Sequence, residues 1–73
     1  MTYGFDLEKF SERLRKLREG RKLSAMALGK SIGVSYMSVI RWETEKRIPN
    51  IKHIYDLAAF FNVTADYLIG KDG

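Results

Sequence analysis

Seventy-three residues with no cysteine make one domain, near the lower limit for an unaided hydrophobic core, and exclude a disulfide framework or a thiolate metal site. No apolar run reaches the roughly 20 residues of a membrane-spanning helix, and the opening MTYGFDLEKF lacks the basic head and long apolar stretch of a secretory signal, so a cytosolic protein is expected. The formal net charge of +4 is uneven, with eleven Lys/Arg against six Asp/Glu in residues 1–47 and two against three in residues 48–73; this suits a domain that turns one face to a polyanion, the alternative being an ordinary salt-bridged surface.

The first helix is predicted over residues 6–19. Asp6 can cap it, and Glu8 suits the positive end of the helix dipole. Phe10, Leu14 and Leu17 form an apolar stripe at spacings of four and three, and Gly20 ends the helix. Lys9, Arg13 and Lys16 fall on or beside its outer faces, either as solvated charges or as phosphate contacts. Leu23 opens the second segment with Ser24 as N-cap, and Leu28 and Ile32 share a face. Gly29 inside this helix costs about 1 kcal/mol relative to alanine. That cost is tolerable if another backbone passes close by; otherwise the position is simply a weak spot.

Gly33 sits at the end of the second helix, where a left-handed residue is wanted. Ser35 then caps a short third helix reaching about Thr44, with Val39 and Trp42 inward. Tyr36, Met37, Ser38, Ile40, Arg41 and Thr44 are left for the outside or margins. Lys46 and Arg47 form a basic loop before Pro49, which forbids helix through the preceding residue. Asn50 caps a fourth helix over Ile51 to Phe61, with Ile54, Leu57, Ala58 and Phe61 as its stripe; Thr64 caps a fifth over Ala65 to Ile69, stopped by Gly70. With no repeat and no strand alternation, the expectation is an all-α, five-helix domain over residues 1–73, its core about 6–70. Residues 24–43 have the layout of a helix-turn-helix, a helix, a glycine turn and a second helix whose outer face is free.

The ordered set of motifs resembles the phage repressor and Cro-type helix-turn-helix family across roughly residues 10–70. It comprises Leu23-Ser24 with Leu28 and a small residue at 29, Gly33-Val34-Ser35, Val39…Trp42-Glu43, Arg47-x-Pro49, and Phe61-Asn-Val-Thr-x-Asp-Tyr-Leu-x-Gly70. The resemblance implies that helix 3 lies in the major groove of double-stranded DNA and that helix 2 crosses the backbone above it. It implies a structural pair between Arg18 and Glu43. It matches the family's base-reading positions to Tyr36, Met37 and Arg41, with Ser38 and Ile40 beside them. Arg41 fits guanine O6 and N7, and Met37 and Ile40 fit thymine methyls, the open alternative for those two being partner or core packing. Phosphate grip falls to Ser24, Ser35, Lys46 and Arg47, with Lys22 and Lys30 as helpers.

Four departures stand out. The glutamine usual after the helix-2 cap is Ala25, the polar amides usual at the start of helix 3 are Tyr36 and Met37, and Gly29 replaces the commoner alanine. The glycine usual two residues after the glutamate is Glu45, which suggests a changed helix end, because left-handed geometry costs a non-glycine about 1 kcal/mol.

The function implied is a sequence-specific DNA-binding transcriptional regulator, a repressor of phage or bacterial mobile-element type. The alternative is a protein-interaction module, an antirepressor- or antitoxin-like partner binder whose contact would be the apolar patch of Tyr36, Met37 and Ile40. An enzyme is not expected, nor a cofactor or metal, since His53 is a lone histidine read as a surface residue. A homodimer on DNA is expected by analogy. Its contact would lie at Tyr67 and Leu68 or around Phe60, unless these residues simply pack in the core.

Overall fold

Every helix begins on a short polar side chain that accepts a hydrogen bond from a backbone N–H three residues on. In the computed structural model, which describes residues 4–71, the pairs are Asp6 with Lys9, Ser24 with Ala27, Ser35 with Ser38, Asn50 with His53 and Thr64 with Tyr67. Residues 1–3 and 72–73 of the expected 1–73 domain lie outside the described residues. The five caps launch α1 (Leu7–Gly20), α2 (Ala25–Ile32), α3 (Tyr36–Glu43), α4 (Ile51–Phe61) and α5 (Ala65–Leu68). Each satisfies a backbone donor that a helix leaves orphaned, and so sets where the helix starts.

The helix ends follow backbone handedness, with one correction. Gly33 (φ 78°) ends α2 and Asn62 (φ 56°) ends α4, both in the left-handed region. Gly20 is the last helical residue of α1 but not the left-handed one, which is Lys22 (φ 56°). The reason is the hydrogen bonding beyond Gly20. The N–H groups of Arg21 and Leu23 both donate to the Arg18 carbonyl, and that of Lys22 donates to Glu19, so the reversal falls two residues later than the glycine.

The core collects the inward stripes of all five helices. Phe10, Leu14, Leu28, Val39, Trp42, Leu57, Ala58, Phe61 and Leu68 are buried, with Ile32, Ile54 and Leu17 packed at its edge. α3 is held between α2 and α1, while α5 closes the domain against α4 and α1.

Three expectations about outer residues are corrected here. Leu68 is fully buried, so it is core and offers nothing to a second chain. Arg13 is not simply solvated: its guanidinium lies over the Tyr67 ring, 4.5 Å from the centroid, and donates to the Tyr67 carbonyl at 2.5 Å. His53 is half-buried, its ring 5.2 Å from that of Trp42. Arg21 likewise covers Phe60 and Phe61 and donates to the Phe60 carbonyl at 2.8 Å. Phe60 is thereby partly occupied by the domain itself.

Candidate nucleic-acid interface

The α2–α3 unit is locked at its turn by a near-contact between backbones. A Cβ on Gly29 would lie 2.6 Å from the Val34 carbonyl oxygen and 3.3 Å from the Ser35 carbonyl carbon. Only glycine lets the turn fold back this tightly, and the Val34 N–H donates to the Gly29 carbonyl at 2.9 Å. The angle between the two helices is therefore set at Gly29 as much as at Gly33.

α1 holds the C-terminal end of α3. The Arg18 guanidinium grips Glu43 with two parallel hydrogen bonds, Nε to Oε2 at 2.7 Å and Nη2 to Oε1 at 2.9 Å, and its Nη1 donates to the Leu23 carbonyl at 2.8 Å. The two side chains are only 17% and 9% exposed. The hydrogen bonds it donates to Glu43 raise the Arg18 pKa above its ordinary value despite the opposing effect of burial, so the arginine stays charged. Ser11, which sequence reasoning missed, adds a second tie: it is buried in the apolar face of α1 and donates from Oγ to the Trp42 carbonyl at 2.5 Å. The signal for it was a small hydroxyl next to Phe10 on the inward face, which asks for a hydrogen-bond partner.

The same end of α3 positions the basic loop. The N–H groups of Lys46 and Arg47 both donate to the Arg41 carbonyl, at 2.8 and 3.3 Å, and Thr44 closes on the Ile40 carbonyl through its N–H and its hydroxyl. Glu45 takes up the left-handed conformation, φ 63°. The changed helix end expected from a non-glycine here is thus absent, because these three closures fix the backbone regardless of the side chain. Replacing Glu45 with glycine should stabilise the domain by up to about 1 kcal/mol, less the extra freedom glycine gains in the unfolded chain. A urea midpoint that stays the same or falls in E45G would contradict this.

The face that α1 and α2 leave uncovered is the outer side of α3. Tyr36 is 45% exposed, Met37 and Ile40 are each 37% exposed, and Arg41 is exposed one turn further along. Ser38 is half-buried, and its hydroxyl sits 3.4 Å from that of Ser35 at the helix start. Ser24 and Lys30 are exposed at the two ends of α2, Lys22 in the turn before it, and Lys46 and Arg47 beyond α3. The structure thus brings Tyr36, Met37, Ile40 and Arg41 onto one surface carrying both apolar groups and a guanidinium. Ser24 and Ser35 stand at the N-terminal ends of α2 and α3, where backbone N–H groups point outward with the positive end of the dipole.

Together these features define a helix-turn-helix unit set in a five-helix frame. The chain belongs to the helix-turn-helix family, in its Cro/C1 type, with residues 14–68 matching the family's profile. Among curated relatives, the HTH-type transcriptional activator BcrR of Enterococcus faecalis is 34% identical over 64 residues, 88% of this chain and 31% of that protein. Repressor protein C2 of Salmonella phage P22 is 34% identical over 61 residues, 84% of this chain and 28% of that protein. The chain thus spans about a third of the length of these two relatives. Among solved structures, the P22 c2 repressor in complex with synthetic operator 9T superposes with a TM-score of 0.81 at 33% identity, covering 86% of this chain and 96% of that one. The restriction-modification controller protein C.AhdI of Aeromonas hydrophila gives 0.78 at 32% identity, with the same coverage.

Proposed function

We propose that this chain binds double-stranded DNA sequence-specifically as a transcriptional repressor, with α3 reading the major groove. The observation that carries this is the outer face of α3: it is exposed, is held rigidly at both ends, and belongs to a fold that matches a repressor bound to its operator. Arg41 donates to guanine O6 and N7. Met37 and Ile40 meet thymine methyls, while Tyr36 and Ser38 contact base edges near the start of the helix. Ser24, Ser35, Lys46 and Arg47 hold phosphates, with Lys22 and Lys30 extending the track. Ala25 supplies no side-chain grip, so the backbone N–H groups at the start of α2 carry more of it. Two copies occupy paired half-sites, because a two-fold operator needs a two-fold protein.

The test is a mobility shift on mixed duplex DNA at two salt concentrations, followed by selection of bound duplexes from a random pool. A phosphate-gripping domain shows steep salt dependence even on non-specific DNA. Arg41→Ala should cost about 1–3 kcal/mol on the selected site and relax preference at one base pair. Lys46→Ala should weaken all sequences alike and flatten the salt dependence by about one unit. An unchanged ratio of specific to scrambled binding in R41A would remove Arg41 as a reader.

The exposure of Tyr36, Met37 and Ile40 also favours a second reading, a protein partner docked on the same face. Affinity for duplex DNA that is absent, or insensitive to salt, would select it.

A further inference from the structure

Two of the four bases, adenine and cytosine, lack their usual partner on the outer face of α3. Adenine is identified by a side-chain amide that accepts from N6 and donates to N7 together, and cytosine by a carboxylate that accepts from N4. The chain has no glutamine and only two asparagines, both occupied at the ends of α4. Asn50 accepts from the His53 N–H, and Asn62 is the left-handed residue that closes the helix. The single carboxylate of α3, Glu43, has both oxygens on Arg18. Glu45 beyond it lines a recess against α1 with Glu12 and Arg15. Tyr36 and Ser38 supply lone hydroxyls, which give or take one hydrogen bond and so do not tell one base from another. What the face does hold is one guanidinium, Arg41, and the exposed apolar groups of Tyr36, Met37 and Ile40.

We propose that α3 recognises the methyl group at C5 of a pyrimidine close to a guanine, and that it takes 5-methylcytosine as well as thymine there. The inference rests on the DNA-binding reading above and names the chemistry of the site that this face selects. An apolar side chain in the major groove finds one apolar feature on the base edges, the C5 methyl. That methyl occupies the same ring position in both bases. They differ at C4, which carries an acceptor oxygen in thymine and a donor amino group in 5-methylcytosine. Met37 and Ile40 have no N–H, O–H or oxygen with which to sense that difference.

The spacing keeps methyl and guanine together. Met37 and Arg41 are four apart and stand one above the other along α3, as do Tyr36 and Ile40. Four residues rise about 6 Å, less than two base-pair steps of about 3.4 Å each, so the methyl under Met37 lies within two base pairs of the guanine under Arg41. An unmodified cytosine at that position offers nothing to Met37. Once methylated it does, and the affinity of the chain for the site then follows the modification state of the DNA.

The test begins with two selections of bound duplexes, one from an ordinary random pool and one from a pool in which every cytosine carries a 5-methyl group. Positions that take only thymine in the first pool should take thymine or 5-methylcytosine in the second. In the selected site each thymine is then replaced singly by uracil, which removes the methyl and leaves the protein untouched. Uracil at a contacted position should weaken binding about fourfold, the value of one buried methyl group. 5-Methylcytosine paired with guanine should bind there as thymine does, and plain cytosine as uracil does. Met37→Ala should erase the difference between thymine and uracil at one such position and leave the others as they were. Uracil binding as tightly as thymine throughout, or a uracil penalty that is the same in M37A and I40A as in the wild type, would overturn the proposal. So would a methylated pool that yields thymine alone at those positions. A chain that binds no duplex from either pool overturns the DNA-binding reading and this proposal with it, whereas specific binding that ignores the methyl overturns this proposal alone.

Discussion

Replacing Glu43 with alanine is expected to destabilise the domain by about 3–5 kcal/mol, the usual cost of stripping one partner from a buried ion pair. Most of that loss is not the attraction itself. The Arg18 guanidinium, 17% exposed, would be left with only the Leu23 carbonyl as acceptor in a largely buried seam. For a chain this small, whose total stability is of the order of 5 kcal/mol, such a loss leaves much of it unfolded at room temperature. Chemical denaturation followed through Trp42, which is 1% exposed in the wild type, measures it directly. An unchanged midpoint would show that the pair contributes nothing. Removing both charges together, as Arg18→Met with Glu43→Leu, should cost far less than Glu43→Ala, because no buried charge is orphaned.

Gly29→Ala should cost about 1–3 kcal/mol, although alanine is the better helix former by about 1 kcal/mol. The sign is decided by what the new methyl meets. At 2.6 Å from the Val34 carbonyl oxygen it meets backbone, which cannot swing aside as a side chain can, so the turn and α3 behind it must move. DNA affinity should fall together with stability if α3 carries the proposed reading face. Gly20→Ala is the matched control: nothing lies within 4 Å of its Cβ position and the residue is helical, so stability should rise by about 0.5–1 kcal/mol. A gain in both variants would show that the turn has slack and that the contact at Gly29 sets no geometry.

The contrast between those two glycines also marks how far the sequence could be read. Caps and starts were legible because they depend on neighbours within one turn: Asp6, Ser24, Ser35, Asn50 and Thr64 cap as their spacing implies. The inward stripes were legible because burial follows the helical period. Interactions that cross the fold were not. Arg13 meets Tyr67 across 54 residues, and His53 of α4 meets Trp42 of α3 through their rings. Gly20 stands at the helix end as expected but not at the left-handed reversal, because the hydrogen bonds back to Arg18 and Glu19 put that reversal on a lysine. At Glu45 the intrinsic preference against left-handed backbone was outweighed by the closures of Thr44, Lys46 and Arg47 onto α3. On the candidate site, the sequence named the outward residues of α3 and showed nothing of Ser11, whose role depends on the C-terminal end of α3 lying against α1.

The backbone N–H of Asp6 donates to the carbonyl of Ile69 at 2.8 Å, and Lys71 reaches back to within 3.9 Å of where a Cβ on Gly4 would lie. The path of the chain is therefore almost a closed ring, clasped where the first turn of α1 meets the exit from α5. A tag, a fluorophore or a second domain joined before Gly4 or after Lys71 would leave from one shared pole. That pole is built from the first turn of α1 and the exit from α5; α5 packs on α4 and α1, while α1 packs chiefly on α3. A fusion at either end is thus interchangeable with one at the other. A short linker across the clasp would make the order of the helices along the chain a matter of choice, since every contact described above depends on proximity in space and none on which end is made first.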